Sequence, residues 1–152
     1  MAHALPPGGG RRDPRDVEAD VAGAMILIPI RTRGSNAREH WTARHERVKR
    51  ERRHTASMLL GQQRPGIPCV VTLTRLSSGT LDPGDNLPAA LKGVRDQIAA
   101  WLGIDDRHSH QVRYEYRQRR VPRGQYGVEV EFGPPVSGAQ FVLGVEVSEE
   151  PA

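Results

Sequence analysis

The sequence predicts an α/β (α+β) domain in which two main helices pack on one face of a small mixed sheet. Three observations predict this class. Short runs rich in β-branched residues alternate in polarity, and two longer segments carry apolar residues at steps of three and four. These segments follow one another in the order strand, helix, strand, helix and then strands, which suggests a mixed sheet covered by helices on one face. The length of 152 residues fits one compact domain.

The two ends of the chain differ in composition from its middle. Residues 1–24 are rich in Pro, Gly and charge without a sustained period, which predicts a disordered tail. Residues 25–148 form the predicted domain, and residues 149–152 a flexible C-terminus. No apolar run approaches the roughly 20 residues of a membrane span, and the first residues lack a secretory signal. We therefore expect a cytoplasmic protein without a membrane partner.

The first half of the domain is expected to contain a strand, a helix and a second strand. Residues 25–30 are a short apolar run typical of a buried strand. A helix is expected over residues 37–60, where Asn36 fits the N-cap position and Glu39 completes a capping box. Residues 69–77, CVVTLTRLS, alternate in polarity and are rich in β-branched side chains, which indicates a strand.

The second half is expected to begin with a helix and to end in strands. A helix is predicted over residues 87–102, with Asn86 as its N-cap. The runs HQVRYEYRQ and QYGVEVEFG both alternate, and the short linker between them predicts an antiparallel hairpin. Residues 139–148 alternate again and are expected to add a last strand.

Arginine supplies almost all of the positive charge. The net charge is +4, and Lys49 and Lys92 are the only lysines. A basic balance favours polyanionic partners. Two arginine clusters lie on the first helix and beside the predicted hairpin, and each is either a phosphate-contacting surface or a solvated face held by salt bridges. The candidate phosphate contacts are Arg44, Arg47, Arg50, Arg53, Arg117, Arg119 and Arg120.

Acidic residues flank the second helix within residues 81–106, LDPGDNLPAALKGVRDQIAAWLGIDD. Lys92 and Asp96 project from the side of this helix opposite its apolar stripe, at a spacing that allows an ion pair. Two aspartates stand in the Pro-Gly loop before the helix, and two more follow it. The candidate metal ligands are Asp82, Asp85, Asp105 and Asp106.

Convergence of these aspartates would require a bound cation. Two carboxylates about 4 Å apart repel by about 4 kcal/mol at an effective dielectric constant near 20. Oxygen ligands without cysteine point to Mg²⁺, or Mn²⁺, and a hard ion beside Lys92 suits phosphoryl chemistry. The structural alternative is a solvated helix edge. A mixed site formed by Asp106, His108 and His110, which would favour Zn²⁺ or Mn²⁺, is a further alternative.

Residues 81–106 resemble the core of the RusA family of Holliday junction resolvases. The family pattern is Asp-x-Asp-Asn-Leu, a helix with a lysine and an aspartate four residues later, a glycine, and a closing Asp-Asp. The matching residues here are Asp85, Asn86, Leu87, Lys92, Asp96, Gly103, Asp105 and Asp106. The resemblance covers about residues 25–132, and the basic segment SNAREHWTARHERVKRERR is similar to phage-type members. It implies a mixed α/β homodimer that binds four-way DNA junctions and nicks two strands with Mg²⁺.

The resemblance also implies individual roles. Asp85 and a closing aspartate, preferably Asp106, would hold the metal, and Lys92 would be the catalytic lysine. The family's first aspartate falls at Pro83 of this chain, and Asp82 lies one residue further away. Either the loop bulges to bring Asp82 into the site, or the metal site is weakened. We therefore expect a Mg²⁺-dependent junction endonuclease of recombination and repair; the alternative is a DNA-binding protein of the same fold that does not cut.

Overall fold

A computed structural model describes residues 25–135, except for the side chains of Asp106 and Ser109. These residues form a four-stranded mixed sheet with helices on one face, which confirms the small α+β fold. The elements are β1 (Met25–Ile28), α1 (Trp41–Leu59), β2 (Cys69–Ser77), α2 (Asn86–Ala90), α3 (Lys92–Leu102), a 3₁₀ segment (Asp106–Gln111), β3 (Val112–Arg120) and β4 (Gly127–Gly133). The predicted tail 1–24, the strand 139–148 and the C-terminus 149–152 lie outside the described residues.

The strand order is β1-β4-β2-β3. β2 and β3 are parallel, whereas β4 is antiparallel to both β1 and β2. The predicted hairpin between the last two runs is therefore wrong, because β2 lies between β3 and β4. The chain returns through α2 and α3 to the start of β2, so β3 must run parallel to β2. β4 then occupies the other edge of β2 and pairs with β1.

The core lies between the helices and one face of the sheet. The apolar stripe predicted for the second helix is confirmed, since Leu87, Leu91, Val94 and Ile98 are all buried. Each such side chain contributes roughly 1.5–3 kcal/mol by leaving water. At the edge of the core the rings of Trp101 and Phe132 lie 5.6 Å apart. The sheet positions in the core are Ile26, Ile28, Val71, Leu73, Val112, Val128, Val130 and Phe132.

The predicted helix 87–102 consists of two helical segments. Leu91 separates α2 from α3, with φ −98° and ψ 2°. The chain terminates α3 at Gly103, which adopts φ 72°. The amide of Ile104 donates to the carbonyl of Ala99 at 3.0 Å, which completes a Schellman-type end.

Helix α1 begins at Trp41 rather than at residue 37. His40 occupies the N-cap position, and its Nδ1 accepts from the Thr42 amide. The predicted capping box at Glu39 does not form, because the Glu39 carboxylate binds Arg47 at 3.0 Å. Arg47 also pairs with Glu51 at 2.7 Å, so one guanidinium joins the segment before α1 to a buried carboxylate within it.

Candidate active site

The acidic loop after β2 forms a tight turn. The Oδ2 atom of Asp82 accepts from the Asp85 amide at 3.1 Å. The Asp82 carbonyl accepts from the Leu87 amide at 2.9 Å. The N-cap position of α2 is therefore Asp85 and not the predicted Asn86, and the Asp82 carboxylate accepts from the backbone amide of this N-cap residue. The turn brings Asp82 beside the backbone of Asp85 although Pro83 stands between them, and both aspartates are exposed.

The segment that leads into this turn is tethered by side chains from the sheet. The Gln118 amide binds Leu81 twice: Oε1 accepts from the Leu81 amide at 2.9 Å, and Nε2 donates to its carbonyl at 2.7 Å. The Nη1 atom of Arg75 donates to the carbonyl of Gly79 at 3.0 Å. These contacts from β2 and β3 fix the residues immediately before Asp82.

Sequence reasoning missed both tethering residues. Each stands in a row of alternate strand positions that otherwise faces the helices. Arg75 continues the row of Val71 and Leu73 in β2, and Gln118 continues the tyrosine row of β3. A polar residue in an apolar row was the signal available in the sequence.

The predicted pair on the helix forms at the start of α3. Lys92 Nζ lies 2.6 Å from Asp96 Oδ2, and Arg95 Nη2 lies 3.3 Å from Asp96 Oδ1. Partial burial would raise the pKa of Asp96, but the hydrogen bonds and charges of Lys92 and Arg95 outweigh it and hold the pKa below its ordinary value. Lys92 lies seven residues after Asp85, which corresponds to about 10 Å at the helical rise of 1.5 Å per residue. Its carboxylate partner is Asp96.

The closing aspartates stand at the other end of α3. Asp105 is exposed, and its Oδ1 atom accepts from the Arg107 amide at 2.9 Å and lies 2.8 Å from His108 Nδ1. The hydrogen bond with His108 is the main cause that lowers the pKa of Asp105. The backbone of Asp106 begins the 3₁₀ segment, which also carries His110, and the His108 and His110 rings lie 6.5 Å apart.

The topology places the two acidic groups at opposite ends of the sheet. The Asp82 turn follows Ser77, the last residue of β2, whereas Asp105 precedes Val112, which pairs with Cys69 at the start of β2. Eight steps of about 3.3 Å separate the two ends of β2 by about 26 Å. Among residues 25–135, no three side chains of the metal-ligating types converge.

The two arginine clusters differ in what they contact. Arg44, Arg50 and Arg53 are exposed on α1, where only Glu51, Thr55 and Leu59 are buried. Arg47 is instead committed to Glu39 and Glu51 inside the fold, with a side-chain exposure of 17%. The cluster on β3 is partly neutralised by acids. Its contacts are Arg117 with Glu115, Arg119 with Glu129, and Arg120 with the Ser78 carbonyl.

Comparison with known proteins finds no relative. No family model, curated protein or solved structure matches this chain. The resemblance of residues 81–106 to the RusA resolvases therefore stays a prediction. Within the described part of the chain, none of the helices is both long and apolar enough to cross a membrane.

Proposed function

We propose that the protein is a Mg²⁺-dependent endonuclease that cuts four-way junctions or other branched DNA as a homodimer. The supporting observation is the exposed turn that holds Asp82 and Asp85 together at the end of β2. Carboxylate oxygens on a tethered turn suit Mg²⁺, with Mn²⁺ as a substitute. A bound ion of this kind supplies a hydroxide nucleophile and stabilises the leaving oxygen.

A second copy of the chain would complete the site. One chain holds its two acidic groups at opposite ends of the sheet, so a site that uses both takes the Asp82 turn from one subunit and the closing pair from the other. A two-fold dimer then contains two identical sites. Two such sites suit a substrate in which two strands of the same polarity are cut symmetrically.

The arginines of α1 would hold the DNA backbone. Arg44, Arg50 and Arg53 are exposed on a helix that buries only three residues. Phosphate contacts position a nucleic acid without specifying its sequence, and they make binding strongly dependent on salt. This arrangement supports recognition of branch shape more than of base sequence.

Purified protein incubated with a four-way junction and Mg²⁺ is expected to produce paired nicks. We expect Asp85→Asn and Lys92→Ala to retain junction binding and to lose at least about 100-fold in cleavage rate, because each removes charge from the reacting centre. Lys49→Ala is the matched control, since Lys49 is exposed on α1 and pairs with Glu46 at 3.8 Å. Normal cleavage by either test variant would remove that residue from the mechanism.

Gln118→Leu is expected to raise the Mg²⁺ concentration for half-maximal cleavage by about 10–100-fold, because outer contacts that orient ligands contribute this much to metal affinity. The change removes both hydrogen bonds to Leu81, the residue before Asp82. Junction binding without metal should not change. Gln125→Leu, in the exposed β3–β4 linker, is the control. An unaltered Mg²⁺ requirement in Gln118→Leu would show that the tether does not position the ligands.

The second candidate function is a DNA-binding protein that does not cut. One observation favours it: Asp105 is already engaged by His108 and by the Arg107 amide. Gel-shift and cleavage assays on the same samples separate the two functions. Junction binding without nicks over a range of Mg²⁺ and Mn²⁺ concentrations would favour the binding protein.

A further inference from the structure

Arg75 is a charged residue buried in the core-facing row of β2. Its exposure is 7%, and Val71 and Leu73 precede it on the same face. Both of its hydrogen-bond partners are neutral: Nε donates to Thr32 Oγ1 at 2.9 Å, and Nη1 donates to the Gly79 carbonyl. Burial lowers the pKa of Arg75, and no carboxylate of the described residues opposes this effect. A buried charge without a counter-charge is costly, so this guanidinium favours an incoming anion.

One donor group of Arg75 remains available. In residues 25–135 the Tyr114 hydroxyl is the single buried side-chain polar atom without a hydrogen-bond partner. Arg75 Nη2 makes no hydrogen bond to the described residues, so it retains contact with solvent. Its two N–H donors thus have no partner among the described residues, on a guanidinium that Thr32 and Gly79 hold in place.

The surroundings of Arg75 are basic. Arg31 and Arg33 are exposed on either side of Thr32, and Arg120 is exposed opposite Ser77 at the same end of the sheet. Gly79, the backbone partner of Arg75, comes three residues before the acidic turn. An anion bound at Arg75 would therefore lie close both to these arginines and to the acidic turn.

We propose that Arg75 anchors a phosphate-binding subsite at this end of the sheet, occupied by a backbone phosphate of DNA next to the acidic turn. The remaining Nη2 group of this charged guanidinium can donate charge-assisted hydrogen bonds to phosphate oxygens. Fixing the guanidinium before binding reduces the ordering that binding requires. The assignment of this phosphate to DNA rests on the proposed function, whereas the phosphate site itself rests on the contacts and burial of Arg75.

Thermal unfolding of the full chain with inorganic phosphate tests the site without any cleavage assay. Phosphate should raise the Tm of the wild-type protein above the value in NaCl of equal ionic strength, because a ligand of the folded state stabilises it. Arg75→Gln should lose this increment. Arg64→Gln, which removes an exposed arginine from the loop between α1 and β2, should keep it. Equal increments in Arg75→Gln and the wild type would overturn the proposal.

Two further variants separate anion binding from a purely structural role. Thr32→Val removes the Nε partner but leaves the guanidinium and its Gly79 contact, so it should keep a phosphate increment that is smaller than that of the wild type. Complete loss of the increment would assign Arg75 to loop anchoring alone. Arg75→Lys keeps the positive charge but not the planar guanidinium. It is also the test variant to use if Arg75→Gln does not fold. Arg75→Lys should need about tenfold more phosphate than the wild type for the same rise in Tm. If its Tm responded to phosphate as strongly as that of the wild type, the subsite would be contradicted.

Duplex DNA in metal-free buffer then identifies the source of the phosphate. Arg75→Gln should lose one phosphate contact. The plot of the logarithm of the DNA association constant against the logarithm of the salt concentration should therefore have a slope that is less negative by about 0.9. An unchanged slope together with a lost phosphate increment would assign the site to a free phosphate compound and overturn the DNA assignment. If the wild-type protein binds DNA and never nicks it, the nuclease proposal fails while both measurements on Arg75 stand.

Discussion

A mixture of Asp85→Asn and Asp106→Asn subunits is expected to regain the junction nicking that each variant lacks alone. In a shared site, one centre of the mixed dimer combines both substitutions, and the other keeps both native aspartates. If half of the dimers are mixed and half of their centres are intact, roughly a quarter of the wild-type nicking should return. Nicked junctions should outnumber resolved ones, because each mixed dimer cuts only one strand.

The physical reason for this expectation is the distance within one chain. The Asp82 turn follows one end of β2, the closing pair lies toward the other end, and the strand between them is about 26 Å long. The subunits are best co-expressed with different tags, so that mixed dimers can be isolated. The control is a mixture of Asp85→Asn with Lys92→Ala.

The outcome of the mixing experiment separates three situations. Recovery in the Asp85→Asn and Asp106→Asn mixture supports a site that is shared between subunits. A wild-type protein that cuts, together with a mixture that stays inactive, would contradict the sharing and leave the nuclease function standing. Normal cleavage by Asp106→Asn alone would exclude that residue as a required ligand and shift attention to Asp105.

The elements of this fold were predictable where one local pattern decides them. The steps of three and four that bury Leu87, Leu91, Val94 and Ile98 are a property of consecutive residues, and they hold across the break between α2 and α3. Alternation likewise identified β2, β3 and β4. The predicted start of α1 was wrong. A capping box would have used the Glu39 carboxylate to accept from a backbone amide, but this carboxylate binds the charged Arg47, eight residues away, which is the stronger partner.

Strand neighbours and site residues depend on contacts that no local pattern contains. Alternation shows that a segment is a strand but not which strand it joins, so β3 and β4 were wrongly paired. The roles of Arg75 and Gln118 depend on contacts with Gly79 and Leu81, and the Gln118 contact spans 37 positions of the chain. The spacing of acids in the sequence also suggested convergence, whereas the parallel register of β2 and β3 separates them.

Arg47→Met is expected to lower the free energy of unfolding by about 3–5 kcal/mol, which is the usual cost of removing one partner from a buried ion pair. Glu51 is 3% exposed, and Arg47 Nη1 lies 2.7 Å from its carboxylate. Methionine keeps much of the arginine's apolar volume, so the loss is that of the charge. The carboxylate has no room to move toward α3, since a Cβ placed on Gly93 would already lie 2.9 Å from Glu51 Oε2.

The matched single variant is Glu51→Gln. The double variant, Arg47→Met with Glu51→Gln, completes a double-mutant cycle. Glu51→Gln removes the buried carboxylate charge, while Arg47 is partly exposed and keeps its ion pair with Glu39, so this variant should lose less stability than Arg47→Met. Adding Glu51→Gln to Arg47→Met should then recover most of the lost stability. Urea denaturation monitored by fluorescence measures all four proteins. A double variant as unstable as Arg47→Met would assign the loss to packing and not to the unpaired carboxylate.

The pH dependence of Arg47→Met follows from the pKa of Glu51. Burial raises this pKa above its ordinary value of 4.5 even with Arg47 present. A raised carboxyl pKa means that the folded protein binds the proton more tightly than the unfolded chain does. The buried charged carboxylate therefore destabilises the fold at neutral pH, and this destabilisation disappears as the pH falls through the folded pKa toward 4.5. Without Arg47 the folded pKa rises further, and the deficit of Arg47→Met should therefore shrink at acidic pH. A deficit that stays constant between neutral pH and pH 4.5 would show that the Glu51 charge is not its cause.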